Sequence, residues 1–258
     1  MARIFITGST DGLGRAAAGT LLEAGHEVVL HARNAERAAS LGPLADRAAG
    51  VAVGDLADAD EVRAVAEQVD SLGRMDTVIH NAGIYLDRSR MDTPQGHARV
   101  LAVNVLAPYL LTALVRRPGR LVYVSSGMHR GGDASLRDLD WTERRWNAVQ
   151  AYADSKLYVA GLAFAVARHW RLPAHAVDPG WVPTKMGGPG ASDDLELGHE
   201  TQEWLAVTSS PDATRGPGFW FHRRRQAPHE ACQDEGFQER LLDRLTRLTG
   251  VDLRLQTE

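Results

Sequence analysis

Six short apolar runs, separated by longer stretches with helical spacing, leave this chain few ways to fold. The runs are "RIFIT" (3–7), "EVVLHA" (27–32), "GVAVGD" (50–55), "MDTVIHNAG" (75–83), "GRLVYVSS" (119–126) and "LPAHAVDPG" (172–180). Between them lie Ala/Leu-rich or amphipathic stretches: up to about residue 24, then about 34–41, 58–72, 97–115 and 149–170. A strand with one wet face alternates polar and apolar residues, whereas a strand apolar at nearly every position is covered on both faces. The alternation therefore predicts an α/β fold: a doubly wound parallel β-sheet flanked by helices on both faces. "GFWFH" (218–222) is a candidate last strand, followed by a charged helix at 237–250.

At 258 residues the chain fits a single domain with a full core. Three segments break the rhythm: a polar insertion at 127–148, a Gly/Pro/Asp-rich loop at 183–198 that reads as a lid, and a C-terminal tail at 223–258. The net charge of −4, with both signs interspersed, argues against nucleic acid or a membrane surface as partner. The basic run "HRRR" (222–225) reads as a solvated face. Cys232 is the only cysteine, which excludes an intrachain disulfide. No leader-like segment and no membrane-spanning run is read from the sequence, so a cytoplasmic location is expected. The ten histidines are scattered without a paired helical spacing, and no metal site is expected.

The first strand leads into "TGSTDGLGRAA", which places Gly8, Gly12 and Gly14 in a turn that opens a helix. Such glycines let the backbone turn sharply and let a pyrophosphate approach the free N–H groups of the helix N-terminus. With Thr10, Asp11 and Leu13 they form a candidate phosphate-binding turn. A glycine turn alone is weak evidence, but its position after the first strand of a parallel sheet is where such folds bind dinucleotides. The second strand ends "VVLHARN", with Arg33 where an acid would otherwise read the ribose 2′-hydroxyl. A planar cation there suits a phosphate monoester, so NADPH/NADP+ is preferred over NADH, although Asp11 opposes that preference mildly.

The chain has 27 arginines and only two lysines, Lys156 and Lys185. Lys156 follows Tyr152 by four residues in a helical pattern, so both side chains share one face. A nearby ammonium stabilises a phenolate and makes a tyrosine usable as an acid or base. Lysine's compact charge and rotatable donors suit that double duty better than a rigid guanidinium.

In order along the chain stand "TGSTDGLG", "GDL" (54–56), "HNAG" (80–83), "VNV" (103–105), "YVSS" (123–126), "YADSK" (152–156) and "DPGWVPT" (178–184). The set resembles the short-chain dehydrogenase/reductase family over about residues 2–222, with most likeness to its retinol-dehydrogenase and protochlorophyllide-reductase branch. The resemblance implies a Rossmann-type fold and hydride transfer between a nicotinamide and a carbonyl or alcohol carbon. It implies that Tyr152 is the general acid/base, that Lys156 binds the nicotinamide ribose and tunes Tyr152, and that Ser126 hydrogen-bonds the substrate oxygen. It gives Asn104 a water linking Lys156 to solvent. It places Asp55 and Leu56 at the adenine, has Asn81, Ala82 and Gly83 line the cofactor, and sets Pro179, Gly180, Val182 and Thr184 along its nicotinamide side. His80 departs from the family's usual Asn, and its side chain is expected to alternate away from the cofactor edge.

The expected substrate is a small carbonyl or alcohol compound of apolar character. Trp141, Trp146 and Trp181, with Tyr85 and Met186, suit either an apolar pocket wall or ordinary packing. The helices at 97–115 and 149–170 either cover the sheet or also pair with a second copy in a homodimer or homotetramer. A non-catalytic NADP(H)-binding sensor or scaffold on the same fold is the alternative reading.

Overall fold

The structure is a computed structural model describing residues 1–85 and 89–255, so the last three residues of the expected tail lie outside the described residues. Eight strands form one sheet in the order β3-β2-β1-β4-β5-β6-β7-β8. They are β1 (Arg3–Ile6), β2 (Glu27–Ala32), β3 (Gly50–Val53), β4 (Thr77–His80), β5 (Arg120–Val124), β6 (Ala174–Asp178), β7 (Gly218–Phe221) and β8 (Arg224–Gln226). Every pairing is parallel except β7 with β8.

The helices are α1 (Gly12–Glu23), α2 (Ala35–Ala39), α3 (Pro43–Arg47), α4 (Ala59–Ser71), α5 (Arg99–Leu101), α6 (Ala107–Leu114), α7 (Ala148–Trp170), α8 (Leu195–Val207), α9 (Pro211–Thr214) and α10 (Glu235–Thr249). The two-residue period of a strand divides β1 between two cores. Ile4 and Ile6 pack with Leu21 of α1 and Leu205 of α8, while Phe5 joins the opposite layer with α4, α6 and α7. Both faces are therefore covered, as uninterrupted apolar strands require.

Between α5 and α6 the chain widens into a π turn at Ala102–Leu106. Pro108 lacks the N–H that would bond the Asn104 carbonyl in α register, and the Ala107 N–H bonds the Ala102 carbonyl instead.

The expected lid loop is shorter than the sequence suggests, because Asp194 caps α8 through the Glu196 and Leu197 N–H groups. The basic run 222–225 makes a turn with positive φ at His222 and Arg223 and then the exposed edge strand β8. The tail folds back: Phe237, Leu241, Leu242 and Leu245 of α10 are buried in the layer that contains α7. Gly161 permits the approach, since a Cβ there would lie 2.7 Å from the Phe237 ring. No described helix is long and apolar enough to cross a membrane.

Candidate active site

The strand order reverses at β1 and β4, and a crevice of about 580 Å³ opens at the carboxyl ends of the strands there. One wall is the glycine turn. Gly8 and Gly12 have φ of +66° and +50°, conformations costly for side-chain-bearing residues. Gly14 is required by space: a Cβ would fall 2.3 Å from Asn81 Nδ2 and 2.5 Å from the Gly8 carbonyl oxygen. Asn81 holds the turn by donating to the Thr7 carbonyl (2.9 Å), and Thr7 Oγ1 accepts from the Ala82 N–H (3.0 Å).

Gly8, Thr10, Asp11, Gly12, Leu13, Arg33, Asp55, Leu56, Asn81, Ala82, Gly83, Pro179 and Thr184 all line this crevice, together with Tyr152 and Lys156. Gly14 lies behind the turn. Gly180 and Val182 stand behind the wall as well: Gly180 has φ +81° and donates its N–H to Asp178 Oδ1, and Val182 is buried against Gly198 of α8.

At the adenosine end, Arg33 is exposed, with no ion-pair partner among the described residues. Arg37 joins it, donating to Thr10 Oγ1 (3.0 Å) and pairing with Asp11 (3.4 Å). Asp11 caps α1 by accepting from the Gly12 N–H (2.9 Å) and also pairs with Lys185 of the loop after β6. Lys185 first, then the Gly12 N–H and Arg37, hold its carboxyl below the usual range, while its partial burial works the other way. The charge that opposes a phosphate is thus offset by two cations. His31 is fully buried between the turn and β3: its Nδ1 accepts from the Gly8 N–H (3.0 Å), leaving Nε2–H to donate to the Gly54 carbonyl (2.9 Å). Burial lowers its pKa, which suits that neutral form.

At the other end stand Tyr152, 8% exposed, and Lys156, 3% exposed, on α7. The Lys156 ammonium donates to the Val124 carbonyl (2.8 Å) and lies 5.5 Å from the centre of the Tyr152 ring. Burial depresses Lys156 to about 8, while the Asp178 carboxylate acts the other way. Burial drives the Tyr152 phenol well above its ordinary range; a hydrogen bond from Ser126 opposes this, and Asp178 and Tyr85 add to it. Asn104 is fixed by three hydrogen bonds: its Oδ1 accepts from the Ile84 N–H (2.8 Å), and its Nδ2 donates to the Ile84 carbonyl and to Ser155 Oγ (both 3.0 Å). A Cβ on Gly83 would lie within 3.4 Å of both Asn104 Oδ1 and Lys156 Nζ, so the three residues converge.

The aromatic candidates divide. Trp141 and Trp146 pack against each other at 5.7 Å, with the Arg144 guanidinium 3.9 Å over Trp141, and serve the core layer. Tyr85 packs on Tyr152 with ring centres 4.4 Å apart, Met186 lines the crevice, and Trp181 is 55% exposed. His80 points into the core, stacked on Tyr123 at 4.7 Å with Nε2 3.1 Å from Thr112 Oγ1, away from the crevice as expected. Residues 86–88, which follow Tyr85, lie outside the described residues. Among the described residues no group of three or more His, Cys, Asp or Glu side chains could hold a metal. No sequence pattern points to the parts of His31, Arg37, Asp178 and Lys185, since each depends on a partner brought close only by the fold.

The family model for the short chain dehydrogenases matches residues 2–194. "Short-chain dehydrogenase chry4" of Gibberella zeae is 39% identical over 98% of this chain and 99% of its own length. Among solved structures, an uncharacterized protein from Mycobacterium paratuberculosis is similar at TM-score 0.82 and 26% identity, over 98% of this chain and 95% of that one. A short chain dehydrogenase from Shigella flexneri, solved as a complex with NADP, is similar at TM-score 0.63 and 27% identity, over 85% and 95%.

Proposed function

Because the chain belongs to the short-chain dehydrogenase family, an oxidoreductase family of CH–OH and C=O groups, we propose that it works as an NADPH-dependent reductase of an apolar carbonyl compound. The observation that carries this reading is one crevice walled at one end by Gly8 and Gly12 and at the other by Tyr152 and Lys156. The glycine turn and the N-terminus of α1 fit a pyrophosphate, and Arg33 with Arg37 fits a 2′-phosphate. The NADP complex of the similar Shigella protein agrees with that fit. Bound in the crevice, the cofactor supplies the hydride.

This chain's own groups manage the proton. The buried phenol of Tyr152 keeps its proton at neutral pH, and a proton donor is what a carbonyl oxygen gaining negative charge requires. Ser126, hydrogen-bonded to that phenol, is placed to donate to the same oxygen. Lys156 holds positive charge beneath Tyr152 and offers donors to a ribose. Asn104 fixes the chain at Ile84 beside Gly83, where a water would connect Lys156 to solvent. Tyr85 and Met186 give the substrate an apolar approach.

A second copy would meet the chain's own tail on the faces of α6 and α7. α10 covers α7, and Tyr109 of α6 bonds Thr246 and the Val251 carbonyl, which supports a monomer. Turnover of a panel of aldehydes and ketones with NADPH and NADH, read by nicotinamide absorbance, tests the function. Reduction of apolar members with NADPH preferred is expected; no turnover of any member would overturn it.

A further inference from the structure

His129 is fully buried and lies three residues beyond Ser126, in the 3₁₀ turn Gly127–Gly131. Its Nε2 receives the backbone N–H of His229 (3.0 Å) from the C-terminal tail. A nitrogen that faces an N–H must be the acceptor, so the proton sits on Nδ1, and Nδ1–H donates to the Ser126 carbonyl (2.7 Å). Burial pushes the imidazole down to about 4, consistent with that neutral form. The ring stacks on Phe219 of β7 at 4.1 Å, which leaves it little freedom to turn.

We infer that His129 is a positioning residue for the reaction: it pins the Ser126 peptide, and through it the Ser126 hydroxyl beside Tyr152, to the folded-back tail. The inference rests on the proposed part of Ser126. The need for a pin is local. Ser126 lies two residues beyond β5 in extended conformation and is followed by Gly127, where a Cβ would press on Asp178 Oδ2 at 2.9 Å. A glycine there leaves the Ser126–Gly127 peptide loosely restrained by its own torsions. The Ser126 carbonyl therefore takes two donors from one residue, the His129 backbone N–H (3.1 Å) and Nδ1–H. A catalytic hydroxyl displaced by an ångström loses much of its value.

Four variants separate the possibilities. His129→Phe keeps the ring's shape and removes both polar contacts; kcat should fall about 10- to 100-fold with the Kd for NADPH unchanged within about twofold. His129→Asn presents a donor where Nδ1–H stood and no acceptor for His229, and should restore kcat to within about threefold of wild type. Arg130→Ala cuts the neighbouring tail contact, Arg130 to the Ala227 carbonyl (2.7 Å), without touching Ser126, and should leave kcat unaltered. Equal losses in His129→Phe, His129→Asn and Arg130→Ala would mean that tail docking alone matters, and would overturn the inference. So would full activity in His129→Phe. If the Phe variant does not fold, the contrast between Asn and Arg130→Ala still decides: loss of kcat in His129→Asn overturns the inference. Ser126→Ala tells the two readings apart, because unchanged activity there removes Ser126 itself from the reaction.

Discussion

The Lys185 ammonium pairs with the Asp11 carboxylate, tying the loop after β6 to the residue that caps α1 within the glycine turn. One of the chain's two lysines thus neutralises the acid that the phosphate-binding turn carries, and Arg37 shares the task.

Replacing Asp11 by Asn tests that arrangement. Asn retains the cap on α1 and removes the charge, which frees Lys185 and Arg37 to face cofactor phosphates. NADPH should bind about two- to fivefold tighter in a fluorescence titration, the scale of an exposed ion pair. Weaker binding would show that the carboxylate orders the turn more than it repels the ligand.

Arg33 and Arg37 are expected to set cofactor choice. Arg33→Ala should raise the Kd for NADPH about 10- to 100-fold, as for loss of a charge-assisted hydrogen bond, and leave NADH nearly unaffected. Arg37→Ala should act in the same sense and also loosen Thr10. Equal effects on both cofactors would remove the 2′-phosphate from this site.

Lys156 ties stability to pH. Its folded pKa of about 8 lies below the ordinary 10.5, so between those values the unfolded chain binds more protons and stability rises with pH. Below about pH 8 the buried charge is a full burden. Lys156→Met should lose activity, and its thermal stability relative to wild type should be greatest near pH 7 and decline as the pH approaches 10. A difference in Tm that stays constant across this range would contradict the depressed pKa.

The limited proteolysis pattern at 183–194 should respond to Lys185→Ala. Without the ion pair to Asp11 the loop is joined to the turn only by contacts such as Thr184 with Gly12, and cleavage there should quicken severalfold. Cleavage unchanged from wild type would mean that the pair contributes nothing to holding the loop on the turn.

Most of the sheet was legible because its parallel strands are apolar at nearly every inner position, so pattern alone placed those within a few residues. α8 was hidden for the opposite reason. The first two turns of its buried face carry Gly198, His199, Thr201, Gln202 and Glu203, polar or small residues of which His199 pairs with Glu203, and only its last turn buries Leu205 and Ala206. No apolar period announces such a helix. β8 was equally silent, being three exposed residues held only by pairing with β7.

Within the site, residues whose parts follow from local geometry were readable: the three glycines, and Tyr152 with Lys156 one turn apart. Those whose parts follow from distant partners were not. His129 meets a backbone N–H 100 residues away, and His31 joins two loops through its two ring nitrogens. Trp141 and Trp146 were ambiguous in sequence because aromatic bulk serves a pocket or a core equally well; the Arg144 cation over Trp141 belongs to the core arrangement.

The central claim is that the buried, protonated phenol of Tyr152 delivers the proton in a reduction whose cofactor is held elsewhere in the crevice. Turnover by Tyr152→Phe, measured beside its Kd for NADPH, tests this most directly. The account predicts a fall in kcat of about 100- to 10,000-fold with cofactor affinity nearly intact; reductase activity close to that of the wild-type protein would contradict it.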